Sequence, residues 1–366
     1  MTPRLLLSLL LFLAAAASGW PDAATPPPQP SAGPGGADYR FERVGQHATG
    51  EEAEDAVVFW PESSTPIGPL PVVVFTHGWG ATKPEYYLAW LQHIVRKGHL
   101  VIYPRYQTNL RTKPATFTPN ALTGVRKACD WLKTQSNLPQ PDMANWIVAG
   151  HSVGGLLATN LAVELPRQGL PAPKALLAVE PGKTWGPDRA QVPLSDLSQL
   201  PATMLLVVVT GENDQIVGER DGRRIFEEST GIPRENKTWL GLSDDDHGTP
   251  ALRGGHRAPC APPPDFKPPT EGRKGGIRRR VAQAVLSQVG GDESDFAASR
   301  REPIGVDALD YFGTWKLLDA LCDTAFRGQN RDYALGGGPA QLGMGVWSDG
   351  TPVKPLRVLG GARAPQ

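Results

Sequence analysis

The stretch that most constrains this chain is residues 146–155, where an apolar run ends at a Gly-x-Ser-x-Gly pattern and a helical pattern begins at once. A buried strand that passes directly into a helix leaves room only for a very sharp turn. Gly150 and Gly154 lack Cβ atoms, so the strand and the helix can cross closely there. We therefore predict that Ser152 lies at the apex in a strained conformation, with its hydroxyl above the end of a sheet.

The same turn places Ser152 at the start of a helix, where free backbone N–H groups and the helix dipole favour negative charge. An oxyanion formed beside Ser152 would be stabilised. Because Gly-x-Ser-x-Gly also arises by chance in a chain with 41 glycines, the prediction of a catalytic Ser152 depends on the strand before it, the helix after it and suitable partners downstream.

Composition favours small-molecule chemistry in one large domain. The 366 residues are 40% hydrophobic, which suffices for a core, and 37 basic residues balance 37 acidic ones. Because the net charge is zero, the chain has no overall positive potential that would favour nucleic acid or an anionic membrane as a partner.

The N-terminal residues have the features of an export signal. A basic start, a thirteen-residue run at 5–17 that is apolar except for Ser8, and small residues after it predict a signal peptide at 1–18. That run is too short to span a bilayer. The Pro-, Gly- and Ala-rich residues that follow predict a flexible leader at 19–37, so we expect a secreted or periplasmic protein.

Strand-like and helix-like stretches alternate through most of the chain, which predicts an α/β fold with a doubly wound, mostly parallel sheet in a domain at 38–335. The predicted strands are 39–44, 56–60, 70–76, 100–103, 146–149, 175–179, 204–209 and 237–242. Ligands in such sheets bind at the carboxyl ends of the strands. Four candidate positions follow strand ends: the loop that begins at His77, and Ser152, Glu180 and Asp214.

Two later segments depart from this pattern. Residues 252–303 are Pro-rich and basic and are predicted to be an irregular insertion, much of it poorly ordered and dispensable for assembly of the site. An amphipathic helix at 305–321 should then cover one sheet face, and the Gly- and Pro-rich residues 336–366 are predicted to be an irregular tail. The three cysteines leave the disulfide pattern open: Cys260 and Cys322 could pair, or both could be free like Cys129.

A serine hydroxyl needs a neighbouring base, and the base needs an orienting carboxylate. Of the seven histidines, His247 immediately follows the last predicted core strand and is the preferred base. His256, nine residues on and also in a loop, is the alternative.

The preferred acid is Asp214, which stands just past the predicted strand at 204–209. Glu180, at the end of the preceding strand, is the alternative acid. The run of aspartates at 244–246 lacks the spaced oxygen ligands of a known cation loop, so no metal site is predicted.

These residues together resemble the α/β-hydrolases, in which nucleophile, acid and base follow one another as Ser152, Asp214 and His247 do here. The resemblance covers about residues 57–248 and the helix near Tyr311. The loop His77-Gly-Trp-Gly-Ala is similar to the oxyanion loop of lidless members such as cutinase-like polyester hydrolases and platelet-activating-factor acetylhydrolases. That likeness implies an oxyanion hole formed by the backbone N–H groups of Trp79 and Val153. The long insertion after His247 departs from the family pattern.

The sequence thus predicts an exported serine hydrolase that cleaves a small-molecule or polymeric carboxylic ester through an acyl-enzyme, with no cofactor. The same triad would serve an acyltransferase or an amidase, and a hydrolase-fold binding protein without activity is a further alternative.

Overall fold

The computed structural model describes residues 23–109, 111–185, 191–266 and 304–361. The predicted signal peptide at 1–18 and most of the predicted insertion therefore lie outside the described residues. Within these ranges no helix has the length and apolar character needed to cross a bilayer.

The described strands form one sheet in the order β1-β2-β4-β3-β5-β6-β7-β8-β9. They are β1 (Arg43–Ala48), β2 (Ala56–Glu62), β3 (Leu70–Thr76), β4 (Leu100–Pro104), β5 (Pro141–His151), β6 (Ala175–Val179), β7 (Leu205–Gly211), β8 (Lys237–Leu242) and β9 (Arg357–Gly361). Strands β3 to β8 pair in parallel, whereas β1, β2 and β9 are joined antiparallel. This is the predicted doubly wound, mostly parallel sheet.

Helices cover both faces of the sheet. They are α1 (Leu88–Arg96), α2 (Phe117–Thr134), α3 (Val153–Arg167), α4 (Arg220–Glu228), α5 (Trp315–Arg327), α6 (Arg331–Leu335) and α7 (Pro339–Leu342). Successive residues of β3 point to opposite faces: Val73 and Phe75 pack with α1 and α5, whereas Val72 and Val74 pack with α2 and α3. Each strand of the parallel region is thus covered on both sides, which explains its continuous apolar sequence.

The C-terminal helix lies close to its predicted position. A π-helical turn, Asp310–Thr314, leads into α5, which continues to Arg327, beyond the predicted end. Its buried residues Leu317, Leu318 and Leu321 join the core on the α1 side. The amphipathic pattern therefore predicted the helix and its packing on one face of the sheet, and the structure shows that this is the face covered by α1.

Residues 23–37 do not form the predicted flexible leader. The Gly35 N–H donates to Asp319 Oδ2 (2.8 Å), and the Thr249 N–H donates to the Ala24 carbonyl (2.7 Å). This segment has no sequence pattern typical of a helix or a strand. Hydrogen bonds from and to its backbone nevertheless attach it to the folded domain.

The predicted irregular tail is also corrected. Residues 357–361 form β9, which hydrogen-bonds along β8 from Thr238 to Gly241, and Trp347 is buried in the core. This short strand has no alternating apolar pattern that would predict it from the sequence. It forms because its backbone hydrogen-bonds to the outer edge of β8.

The described start of the predicted insertion belongs to the core. Cys260 and Ala261 are buried, and the backbones of Asp245 and Leu252 exchange two hydrogen bonds of 3.0 and 2.9 Å. Cys129, Cys260 and Cys322 are all buried and form no disulfide with one another, so the possible Cys260–Cys322 bridge is not present.

Candidate active site

Ser152 occupies the predicted sharp turn between β5 and α3. Its φ of 59° and ψ of −129° lie in a region that side-chain-bearing residues rarely adopt. A Cβ added at Gly154 would overlap the Thr76 carbonyl oxygen, and one at Gly150 would overlap the Gly154 carbonyl oxygen. Glycine is therefore required on both sides of Ser152, as the spacing predicted.

A continuous hydrogen-bonded chain reaches the Ser152 hydroxyl. His256 Nε2 lies 3.0 Å from Ser152 Oγ, and His256 Nδ1 lies 2.8 Å from Asp214 Oδ2. Because the carboxylate only accepts, Nδ1 carries the ring hydrogen and Nε2 has a lone pair for the serine proton. The structure thus brings Ser152 and Asp214 together as predicted, through a different histidine from the preferred one.

Asp214 is held in its ionised form. Its other oxygen, Oδ1, accepts the backbone N–H groups of Ile216 (2.8 Å) and Val217 (3.0 Å). Burial acts to raise the pKa of Asp214, but the charge of His256 and these hydrogen bonds outweigh it and lower the pKa. A buried carboxylate that stays charged is suited to fix and stabilise an imidazolium.

The prediction that His247 is the base is corrected. Its Nε2 lies 2.7 Å from Asp349 Oδ2 in an exposed pair. The Asp245–Leu252 pairing closes a turn that carries His247 to the outside.

The chain returns to the site only at Gly254. The carbonyl of Gly254 accepts the Asn213 N–H (3.3 Å), beside Asp214, and this docking sets His256 over Ser152. The alternative base named from the sequence is therefore the one that contacts the serine. The two glycines directly before His256 were the available signal for such a close backbone approach.

Glu180 also faces His256 but at a longer distance. Its Oε2 lies 3.8 Å from His256 Nδ1, beyond hydrogen-bond reach, compared with 2.8 Å for Asp214. Its nearer partner is His151, whose Nε2 is 3.2 Å away. The geometry therefore assigns Asp214 to His256 and Glu180 to His151.

His151 points into the protein and was not among the predicted site residues. Its Nδ1 lies 2.8 Å from the Tyr87 hydroxyl, and its Nε2 lies 2.8 Å from the His256 carbonyl oxygen. Burial, with a smaller contribution from the charge of His256, lowers the pKa of His151 to about 3. This imidazole is therefore neutral at physiological pH.

The loop after β3 lies against Ser152. A Cβ added at Gly78 would lie 3.4 Å from Ser152 Cβ. The N–H groups on either side of Trp79 are engaged, that of Gly78 by the Tyr87 hydroxyl (3.0 Å) and that of Gly80 by Gln107 Oε1 (2.9 Å). Among the hydrogen bonds of the described residues, none has the N–H of Trp79 or of Val153 as its donor.

The same region contains residue types that bind metals. One nitrogen or oxygen each of His151, Glu180 and His256 lies within 4.8 Å of the others, close enough to share an ion. The ring nitrogens of both histidines are already hydrogen-bonded to protein groups. Metal binding would have to break the contact of His256 with Ser152 or with Asp214.

Two comparisons with known proteins bear on the fold and the chemistry. A family model described as Chlorophyllase matches residues 38–207, which include Ser152 and end before Asp214. A curated protein, methylphloroacetophenone synthase from Cladonia uncialis, is 27% identical over 134 residues, or 34% of this chain and 5% of that protein. The chain thus spans a small fraction of the length of that relative. The sheet, the turn at Ser152 and the family match together identify the fold as that of an α/β-hydrolase and support a hydrolase-type activity.

Proposed function

We propose that the protein is a serine hydrolase that cleaves carboxylic esters through an acyl-enzyme. The observation that carries this proposal is the chain from Asp214 through His256 to Ser152, with contacts of 2.8 and 3.0 Å. Such a chain supplies an activated nucleophile together with the group that takes up its proton. The Chlorophyllase family match favours an ester over an amide as the substrate.

In the first half of the reaction, Ser152 Oγ attacks the ester carbonyl carbon and His256 Nε2 takes the serine proton. The Asp214 carboxylate stabilises the imidazolium that forms. The N–H groups of Trp79 and Val153 hydrogen-bond to the oxyanion, and each donor contributes about 3 kcal/mol in the transition state. As the tetrahedral intermediate collapses, the C–O bond to the alcohol breaks and His256 returns its proton to the leaving oxygen.

In the second half, His256 deprotonates a water molecule that attacks the acyl-enzyme. The second tetrahedral intermediate expels Ser152 Oγ, which regains its proton from His256, and the acid is released. This sequence needs no group beyond the protein and water.

We also propose that the protein is exported, because a basic start, a short apolar run and small residues precede the domain. N-terminal sequencing of material recovered outside the cytoplasm should find a first residue near Gly19. Recovery of that material with Met1 in place would contradict the proposal.

The proposed activity is tested with purified protein, p-nitrophenyl acetate and a fluorophosphonate label. Wild type should hydrolyse the ester and be labelled at one serine, whereas Ser152→Ala should lose both properties because no other nucleophile stands at the turn. Ser198→Ala is the matched control, since the Ser198 hydroxyl donates a hydrogen bond to Asp196 in an exposed turn, and it should behave as wild type.

The same experiment separates the alternatives. A wild-type protein that is folded but neither labelled nor active would be a binding protein with a hydrolase fold. Labelling with rapid acyl transfer to an added alcohol or amine, and slow hydrolysis, would indicate an acyltransferase. Persistent labelling of Ser152→Ala would refute the assignment of the nucleophile.

A further inference from the structure

The imidazole of His151 hydrogen-bonds directly to the loop that carries His256. Through Tyr87 it is also connected to the loop after β3, which carries Trp79. Its own residue directly precedes Ser152, its Nε2 lies 2.8 Å from the backbone carbonyl of His256, and its Nδ1 lies 2.8 Å from the hydroxyl of Tyr87. That hydroxyl in turn accepts the N–H of Gly78 (3.0 Å). The segments that carry the nucleophile, the base and Trp79 are therefore linked through one side chain.

The direction of every hydrogen bond in this network is determined. A carbonyl oxygen only accepts, so His151 Nε2 carries the hydrogen that faces the His256 carbonyl and Glu180 Oε2. Nδ1 is then the acceptor, and the Tyr87 hydroxyl donates its hydrogen bond to it. The tyrosine oxygen is left to accept the Gly78 N–H, which matches the observed contact.

The network is also buried, and one of its residues has an unusual backbone conformation. Tyr87 is 2%, His151 3% and Glu180 0% exposed, and Glu180 has a φ of 45°. A bulky residue held at positive φ is unfavourable by itself, and such strain is common where a protein positions a functional group. The conformation aims the Glu180 carboxylate at His151 from the end of β6.

We propose that His151 and Tyr87 are positioning residues that hold the N–H of Trp79 and the ring of His256 in register with Ser152. Neither residue touches the substrate. Tyr87 fixes Gly78, and through it the orientation of the next peptide, whose N–H belongs to Trp79. His151 fixes Tyr87 and the backbone of His256. This inference rests on the proposed serine hydrolase function.

The main test is Tyr87→Phe, which removes the hydroxyl but keeps the aromatic packing against Phe75. Loss of one oxyanion donor costs about 100- to 1,000-fold in kcat, so a donor that is displaced rather than removed should cost about 10- to 100-fold. KM should stay within about 2-fold, because the affected contact strengthens only in the transition state. Affinity for a boronic acid that mimics the tetrahedral intermediate should fall in parallel with kcat.

Tyr39→Phe is the matched control. Tyr39 also hydrogen-bonds a histidine Nδ1, that of His93 (3.1 Å), and His93 Nε2 in turn pairs with the carboxylate of Asp319 (2.9 Å). This Tyr–His–Asp arrangement parallels the Tyr–His–Glu set at the site, but it joins the segment before β1 to α1 and α5, and none of its hydrogen bonds involves Ser152, Asp214 or His256. Its loss should affect thermal stability but leave kcat per labelled serine unchanged.

Two variants of His151 provide a second measurement. His151→Gln keeps one donor and one acceptor and should retain more kcat than His151→Leu, which keeps neither. If Tyr87 acts through the network, adding Tyr87→Phe to His151→Leu should reduce kcat by less than about 3-fold further, because residues that act as a unit are not additive.

The outcomes distinguish this inference from the proposed function. Wild-type protein without labelling or turnover would overturn the proposed function and this inference together. Active wild type with Tyr87→Phe at the same kcat per labelled serine would overturn the inference alone. If Tyr87→Phe has less total activity only because less of the protein is folded, while kcat per labelled serine is normal, the network serves stability alone and the inference is also overturned.

Discussion

Replacement of Asp214 by Asn should abolish most turnover without unfolding the protein, for a reason visible in its contacts. Oδ1 accepts the backbone N–H groups of Ile216 and Val217, so the asparagine must keep its amide oxygen on that side. Its NH2 group then faces His256 Nδ1 and can only donate. The imidazole is forced to carry its hydrogen on Nε2, where it cannot accept the proton of Ser152.

The size of this effect follows from the wrong tautomer. In a triad enzyme the equivalent change lowers kcat by about 10,000-fold, which corresponds to about 5 kcal/mol of transition-state stabilisation. The backbone hydrogen bonds of the loop survive, so circular dichroism and the melting temperature should change little. The assay is kcat on p-nitrophenyl acetate, with burst titration of the wild type to count active sites.

Asp349→Asn is the matched control, because Asp349 pairs with His247 at 2.7 Å in an exposed position. It should keep kcat within about 2-fold of wild type, since a surface pair of this kind contributes little. Glu180→Gln should lose less than Asp214→Asn, because Glu180 lies beyond hydrogen-bond distance of His256. Turnover above one-tenth of wild type in folded Asp214→Asn, with collapse in Glu180→Gln, would refute the reasoning.

Two further predictions concern the histidines. His256→Gln should lower kcat by about 10⁶-fold, whereas His247→Gln should stay within about 2-fold of wild type; the reverse order on the same ester would restore His247 as the base. Acid should also destabilise the fold, because three histidines are buried in their neutral form. Burial is the main cause that lowers the pKa of His77 and His99 to about 4 and that of His151 to about 3. The unfolded chain binds their protons below about pH 6.5 and the folded chain does not, so these three histidines lower stability as pH falls, while the buried carboxyls of Asp307 and Asp310, whose pKa values are raised by burial, offset part of that loss. Urea unfolding at about pH 6.5 and about pH 4.5 measures this, and a difference below about 1 kcal/mol would contradict it.

The parts of the site that the sequence predicted are those determined by local chain geometry. The turn at Ser152 needs glycine at fixed positions, and the strand before it must be apolar because helices cover both faces of the sheet. Asp214 follows the end of β7 within a few residues, so its place at the carboxyl edge follows from the sheet alone.

The base could not be predicted in the same way, because its position depends on contacts between distant segments. His247 and His256 both follow β8, and a rule based on proximity to the strand chooses His247. The choice is reversed by the Asp245–Leu252 pairing and by the docking of Gly254 on Asn213. Neither contact has a periodic or compositional signal, and β9 was missed for a related reason: its partner is the edge of a distant strand.

Burial decides which of the two neighbouring histidines can act as the base. His151 is adjacent to Ser152 in sequence and has a carboxylate, Glu180, within 3.2 Å, so the residue types alone would allow it to take the serine proton. Its side chain is 4% exposed, its pKa is held near 3, and both ring nitrogens are engaged away from Ser152 Oγ. The side chain of His256 is 12% exposed and directs Nε2 at Ser152 Oγ. In the proposed reaction, a proton taken from the serine can therefore reside on His256 beside Asp214, whereas His151 stays neutral and serves as a fixed donor and acceptor.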